Sequence, residues 1–258
     1  MDPLLFGTAR PGPVDREHME SKQMTEHAPS DVLSEHIADV LRSEILRGQV
    51  RPGERIRQED IARRFDASRF PVREALRILE VSGLVTVRAN RGAWVNALTQ
   101  DECIELYRVR ESLEPLLLED SVPNLTAETI EEIEDLLGQL ANARDLDADS
   151  YVDLDRRFHA LTYTGSTMET VKGLVQRLIE MTNFYRRAYR ELVAADSGRD
   201  WILQYDHELI VDAIHRRDAV EAAATMRLHT RRARMELAVH PELFAPESEA
   251  RRKSDPML

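Results

Sequence analysis

Cysteine is nearly absent from this chain, with Cys103 alone among 258 residues. A single thiol rules out a disulfide within the chain and any metal site built from several thiolates, and it agrees with a reducing compartment. Long apolar runs are missing too. No window approaches the roughly 18 apolar residues that a membrane span requires, and the N-terminus has no basic segment followed by an apolar run. The expectation is a soluble, cytoplasmic protein with no membrane partner. An internal repeat, a Gly-rich phosphate loop and a Gly-x-Ser-x-Gly elbow are also lacking, so the common signatures of nucleotide phosphate binding and serine hydrolysis give no lead.

What is present suffices for two cores, since 42% of the residues are hydrophobic. The net charge of −12 argues at first against nucleic acid, but the charge is unevenly distributed. Residues 31–96 hold 12 Arg against 10 acidic side chains, whereas residues 98–258 hold 20 basic against 32 acidic ones. The expected division is a flexible arm over 1–30, a basic domain over 31–97, an acidic helical domain over 98–240 and a tail over 241–258.

The basic block is organised around Ala67 to Leu79. Ser68 is a good N-cap, Pro71 sits in the first turn where a missing N–H costs little, and Ala75, Leu76 and Leu79 make one apolar side. Arg69, Arg73 and Arg77 occupy the opposite side and the N-terminal end, where guanidiniums suit phosphate oxygens or guanine edges. Taken alone, this could be an ordinary amphipathic helix with a solvated basic face. Its surroundings favour the other reading. A helix from Asp31 carries Leu33, Ile37, Val40, Leu41 and Ile45 at helical spacing as far as Gly48, and a short helix from Gln58 to Phe65 precedes the Ser68 helix. After Gly83, two β-rich runs, Leu84 to Arg88 and Ala93 to Val95, flank Ala89-Asn90-Arg91-Gly92 and read as a hairpin with Arg91 near its tip. A helix-turn-helix followed by a basic-tipped hairpin is the arrangement of a winged DNA-binding domain.

The segments Ile45 to Gly48, Pro52 to Ile56, Asp60 to Ala62, Ser68 to Arg77, Gly83 to Val85 and Arg91-Gly92 together closely resemble the winged-helix domain of the GntR family of bacterial transcription regulators. The resemblance implies operator contacts by Ser68, Arg69, Phe70, Arg73, Arg91 and Gly92. Phe70 stands where a Thr is usual, and Glu59 where some members carry a base-contacting Arg, so the operator sequence does not transfer.

From Leu98 onward only helices are predicted. Thr99 with Glu102 makes a capping box, and segments follow at about Thr126 to Ala143, Ser150 to Thr164, Glu169 to Val193, Asp200 to Arg216 and Ala219 to Val239, with loops near Pro123 and Asp145 to Asp149. The fold class is mainly α, a winged helix-turn-helix followed by an all-helical bundle. On the first bundle helix, Leu106, Leu113 and Leu117 share a side with Arg110. Such a guanidinium needs an anion, either a carboxylate on a neighbouring helix or that of a bound ligand. Pro115 should kink or split this helix.

Three later helices each turn polar groups inward. Leu154, Phe158 and Leu161 mark a buried side with Asp155 and His159 at its edge; Leu203, His207, Ile210 and Ile214 form a second stripe; Ala222, Met226, His229 and Ala233 form a third. A single inward His is more often a hydrogen-bonded core residue, but three His with one Asp suit Zn²⁺, Ni²⁺ or another borderline divalent ion.

Arg110 with Glu114-Pro115, Asp155 to His159, Asp206-His207 and Met226 to His229 resemble the FCD ligand-binding domain of the FadR subfamily. In metal-containing members that it resembles, residues matching Asp155, His159, His207 and His229 hold the ion, and the resemblance implies a small organic acid bound beside it, with Arg110 as its candidate anchor. The expected function is a metabolite-responsive regulator, with repression the expected sense, acting as a homodimer on a palindromic operator in double-stranded DNA. The alternative is a metal-dependent hydrolase fused to a DNA-binding domain, for which no acid or base beyond the four ligands stands out.

Overall fold

A computed structural model of the chain describes residues 28–88, 91–142, 147–194 and 200–244. The expected arm as far as residue 27, the Ala89-Asn90 turn, the start of the loop at Asp145, and the tail beyond residue 244 lie outside the described residues, as does the side chain of Leu203.

Helix α1 (Ala28–Leu46) buries Ile37, Leu41 and Ile45 of the predicted stripe together with Ala38, while Leu33 and Val40 are half-buried. Helices α2 (Gln58–Arg64) and α3 (Arg69–Val81) follow, joined by a turn in which Asp66 takes a φ of 48°. An aspartate tolerates that left-handed geometry better than most side chains. Helix α3 is strongly two-sided: Val72, Ala75, Leu76 and Leu79 are buried, while Arg69, Arg73 and Arg77 are exposed. Ser68 holds the N-cap position with extended dihedrals, but its hydroxyl makes no capping hydrogen bond. It is left facing outward.

The predicted hairpin is present as β2 (Val85–Arg88) and β3 (Gly92–Val95), paired antiparallel from Val85 opposite Val95 to Arg88 opposite Gly92. A third strand that the sequence did not announce, β1 (Arg55–Ile56), pairs with the outer side of β3, so the sheet order is β1-β3-β2. Ile56 points into the core and Arg55 outward.

The second domain is helical throughout its described residues: α4 (Gln100–Ser121), α5 (Ala127–Ala141), α6 (Ala148–Thr162), α7 (Glu169–Ala194), α8 (Asp200–His215) and α9 (Ala219–Ala238). Its core gathers Leu117, Leu118, Ile133, Leu136, Phe158, Ile210, Ile214 and Met226. Helix α4 is not split at Pro115. The proline forgoes one backbone hydrogen bond, and its ring is buried beside Leu117 and Leu118, so packing on the bundle outweighs the local preference for a break. The packed chain runs on past α9 through a short turn at Pro241–Leu243 to Phe244, whose ring stacks on Tyr185 at 4.6 Å between centroids.

Helix α7 is the wall the two domains share. Asn183 donates to the Leu46 carbonyl at the end of α1 (2.9 Å), and the Tyr185 hydroxyl accepts from the Leu98 amide (2.6 Å) while donating to the Leu98 carbonyl (3.0 Å). Just beyond that anchored linker, the predicted capping box is formed in full: Thr99 accepts from the Glu102 amide, and Glu102 accepts from the Thr99 amide at 2.8 Å. Replacing Thr99 with Ala should therefore cost about 1 kcal/mol, read as a lower midpoint in urea unfolding with an unchanged slope.

Candidate metal centre and nucleic-acid interface

Helix α6 brings Asp155 and His159 inward one turn apart, α8 brings His207 and α9 brings His229. All four are buried, and one ligand atom from each lies within 4.8 Å of the others. The sequence expectation placed Asp155 and His159 at the edge of a buried side defined by Leu154, Phe158 and Leu161. The structure places them at its centre, next to the fully buried Phe158, while Leu154 and Leu161 are only half-buried. A leucine-weighted stripe misjudges a helix whose innermost positions are polar.

Asp155 Oδ1 lies 3.4 Å from His207 Nε2 and 3.7 Å from His159 Nε2, and its Oδ2 accepts from the Arg186 guanidinium of α7. Burial alone would raise the Asp155 pKa, but Arg186, His159 and His207 outweigh it and hold the carboxyl well below the usual range. Burial, only partly opposed by Asp155, holds the His159 imidazole well below its ordinary value and lowers that of His207. The set is thus an ionised carboxylate among imidazoles of which at least these two are neutral, the protonation that a divalent ion requires.

The core-histidine alternative makes a testable demand, because a buried imidazole kept for structure should be hydrogen-bonded. Here His159 Nδ1, both nitrogens of His207 and His229 Nδ1 are buried without a hydrogen-bond partner. Of these, His207 Nε2 lies 3.4 Å from Asp155 where the four side chains converge, and an imidazole nitrogen left unbonded there fits a cation. With the four ligand atoms already within 4.8 Å of one another, inward shifts of the side chains would let them hold one ion.

Beside the cluster opens a cavity of about 60 Å³, lined by Asp155, His159 and His229, by Arg110, Arg186 and Arg190, and by Tyr107, Tyr151 and Glu236 among others. Arg110 is buried as expected, but its anionic partner stands on its own helix and not on the neighbouring helix that the sequence reading considered. Its Nε donates to Glu114 of the same helix at 2.6 Å, with a second bond to Thr182 on α7 at 3.0 Å. Glu114 also accepts from the Tyr163 hydroxyl at 2.8 Å. Glu114 lies four residues after Arg110, a spacing legible in the sequence.

The DNA-facing candidates converge in the other domain. Arg69 and Arg73 of α3 and Arg91 and Gly92 of the hairpin line one open groove, with Ser68 and Phe70 exposed beside them. Three further guanidiniums that the sequence reading did not single out line it as well: Arg55, Arg57 and Arg88. The signal was available at the first two, which flank the inward Ile56. Arg55 and Arg88 also stack against Trp94, 5.4 and 5.0 Å from its ring centroid, and Arg55 donates to the Arg91 carbonyl, fixing the hairpin tip. Gly92 has a φ of 117°, and a β-carbon there would press on Arg55 Nε at 3.2 Å. Glu59 lines the groove too and pairs with Arg69 at 3.1 Å.

Comparison with known proteins follows the same two halves. A family model described as bacterial regulatory proteins, gntR family, matches residues 33–95, and one described as FCD domain matches residues 105–232. Over 148 residues the chain is 30% identical to an uncharacterized HTH-type transcriptional regulator, YdhC, of Bacillus subtilis (strain 168), covering 57% of this chain and 66% of that protein, just under two thirds. Over 214 residues it is 27% identical to the HTH-type transcriptional repressor RspR of Escherichia coli (strain K12), covering 79% of this chain and 89% of that one. Among solved structures, E. coli McbR/YncC shares the fold with a TM-score of 0.71 at 20% identity, over 81% of this chain and 98% of that chain.

The buried pair gives a direct stability test. Glu114→Gln removes the charge that compensates Arg110 and should destabilise the protein by about 3–5 kcal/mol, measured by urea unfolding. A loss under about 1 kcal/mol would mean that another anion neutralises the guanidinium.

Proposed function

The chain belongs to the GntR family of bacterial regulatory proteins, with an FCD domain behind its winged helix-turn-helix, and from that premise we propose that it is a metabolite-responsive transcription regulator acting as a homodimeric repressor on a palindromic operator. One observation carries the DNA half of this reading: guanidiniums from α3, β1 and the hairpin face a single groove of the smaller domain. One recognition helix reads few base pairs, and two copies on a two-fold operator double the contact. Arg69 and Arg73 would read base edges, with Ser68 and Phe70 exposed beside them, and Arg91 with Gly92 would reach a phosphate or minor groove.

In the helical domain, Asp155, His159, His207 and His229 would hold a divalent ion such as Zn²⁺ or Ni²⁺, which supplies a Lewis-acidic centre for an oxygen donor. The cavity beside it favours an anion. Three guanidiniums line it against the carboxylates of Asp155 and Glu236, before the ion adds two positive charges. Counting Glu114 against Arg110 still leaves the loaded pocket positive by two, which suits a small organic acid. Arg110 remains a candidate anchor through its place on the wall, although its burial alone no longer argues for a ligand. The hydrolase alternative finds no support in the relatives, whose names are those of regulators.

Two measurements test the two halves. Selection from random duplexes with the full chain would yield a binding sequence, and Arg69→Ala or Arg73→Ala should then weaken binding to it by about 1–3 kcal/mol in fluorescence anisotropy. Unchanged affinity in these and in Arg91→Ala would remove the assignment. For the other half, His207→Ala should lower both bound Zn²⁺ or Ni²⁺ by elemental analysis and the melting temperature, because an ion bound only by the folded state stabilises it. Wild-type protein that takes up neither ion would return the three histidines to the core.

A further inference from the structure

We infer that Asp206 is a positioning residue for the metal centre, holding His229 by Nδ1 so that Nε2 faces the ion. This rests on the metal reading above and adds a residue outside the four ligands. Asp206 immediately precedes His207 on α8, and successive helical residues point about 100° apart. One helix therefore serves two ligands, presenting His207 itself and, from the adjoining face, a carboxylate to the imidazole arriving on α9.

The geometry at Asp206 is specific. The residue is only 2% exposed, and its Oδ2 lies 3.5 Å from His229 Nδ1. Both atoms are buried, and among the described residues neither makes a hydrogen bond, so two orphaned groups face each other at a separation that a small shift would close. The other oxygen, Oδ1, is held by Arg232, three residues after His229 on α9. The Arg232 guanidinium on Oδ1 is the charge partner that a buried carboxylate needs, so the acceptor facing the ring is compensated from its far side. A neutral imidazole carries one proton, and the nitrogen that binds a metal must be the other one. An acceptor fixed at Nδ1 selects the tautomer with its lone pair on Nε2, and it raises the basicity of that nitrogen. Among the described residues, His159 and His207 have no carboxylate at Nδ1; both turn Nε2 toward Asp155. His229 stands on the opposite helix, away from that carboxylate's hold, and has Asp206 instead.

The competing role is structural, with Asp206 serving only as the partner of the partly exposed Arg232 and tying α8 to α9. Full-length wild type, Asp206→Ala, Asp206→Asn and Arg232→Ala would be titrated with Zn²⁺ against a chromophoric chelator, and the His229 ring read by ¹⁵N–¹H long-range correlation in the loaded protein. Positioning predicts a 10–100-fold weaker Zn²⁺ affinity in Asp206→Ala. It also predicts a smaller loss in Asp206→Asn, whose carbonyl can still accept from Nδ1–H, and a change within about fivefold in Arg232→Ala, the scale of an exposed ion pair. The His229 spectrum should show a protonated Nδ1 in wild type and in Asp206→Asn. Wild-type affinity in Asp206→Ala, or an equal loss in Arg232→Ala, would overturn the inference while leaving the metal reading standing. Wild type that takes up no Zn²⁺ would overturn both. Should Asp206→Ala fail to fold, the Asp206→Asn spectrum decides alone, and an unprotonated Nδ1 there overturns the inference.

Discussion

Four polar side chains meeting at the middle of a helical bundle impose the constraint on which the second domain depends. Asp155, His159, His207 and His229 are drawn from three helices and lie beside Phe158 and Met226, in surroundings that penalise every unpaired lone pair. Leaving several imidazole nitrogens without partners would cost a domain of this size a large share of its net stability. A cation at their centre changes the sign of the term, since what was desolvation without compensation becomes coordination. With an ion bound as proposed, the bundle would be held partly through it, and α6, α8 and α9 would separate most readily on its removal.

The same constraint reaches the smaller domain through one helix. Asp155 is held by Arg186 of α7, and the next residue, Arg187, pairs with Asp149 near the start of α6. Four residues before Arg187, Asn183 bonds the end of α1, and Glu180 lies 3.8 Å from Arg42 of that helix. Arg187 also packs over Gly48, whose φ of 69° lies in the left-handed region that suits glycine. Any ligand that changes what Asp155 or Arg186 must bond therefore acts on the wall against which the DNA-binding domain is packed. Such a contact chain is a physical connection; coupling in the thermodynamic sense further requires that each ligand favour one arrangement of α7 over another.

The elements legible in the sequence were those with long repeats of a physical signal. The stripe of α1, the two-sided α3, the hairpin after Gly83 and the capping box at Thr99 all follow from periodicity or from local hydrogen bonding, and each is present. Strand β1 was not legible, because two residues carry no alternation and its pairing with Trp94 and Ala93 lies almost forty residues away in the chain. Pro115 misled in the other direction, since propensity argues locally while the burial of α4 is decided by the whole bundle. The four candidate ligands could be named, yet the depth of Asp155 and His159 was underestimated because hydrophobicity was used to find the inward side of a helix whose inward side is polar. Asp206 stood beside His207 among the residues that carry the FCD resemblance, but only three dimensions bring it to His229.

A net charge of −12 and a DNA-binding surface are compatible for a reason visible in the fold. Counterions screen charges beyond roughly 8–10 Å at physiological salt, so a phosphate entering the groove responds to the guanidiniums within that distance and far less to the acidic helices behind them. Arg55, Arg57, Arg69, Arg73, Arg88 and Arg91 meet it there, and Glu59 is the single carboxylate among the described residues lining the groove. Glu59 is already engaged with Arg69, so approaching DNA must either displace that ion pair or accept it as a unit. An exposed pair of this kind is worth at most about 1 kcal/mol, less than the loss expected when a base-reading Arg is removed. If Arg69 reads a base edge as proposed, the cost would be felt in discrimination between sequences: a site offering Arg69 a guanine and Glu59 a cytosine amine would use both groups, and one offering Glu59 only acceptors would not.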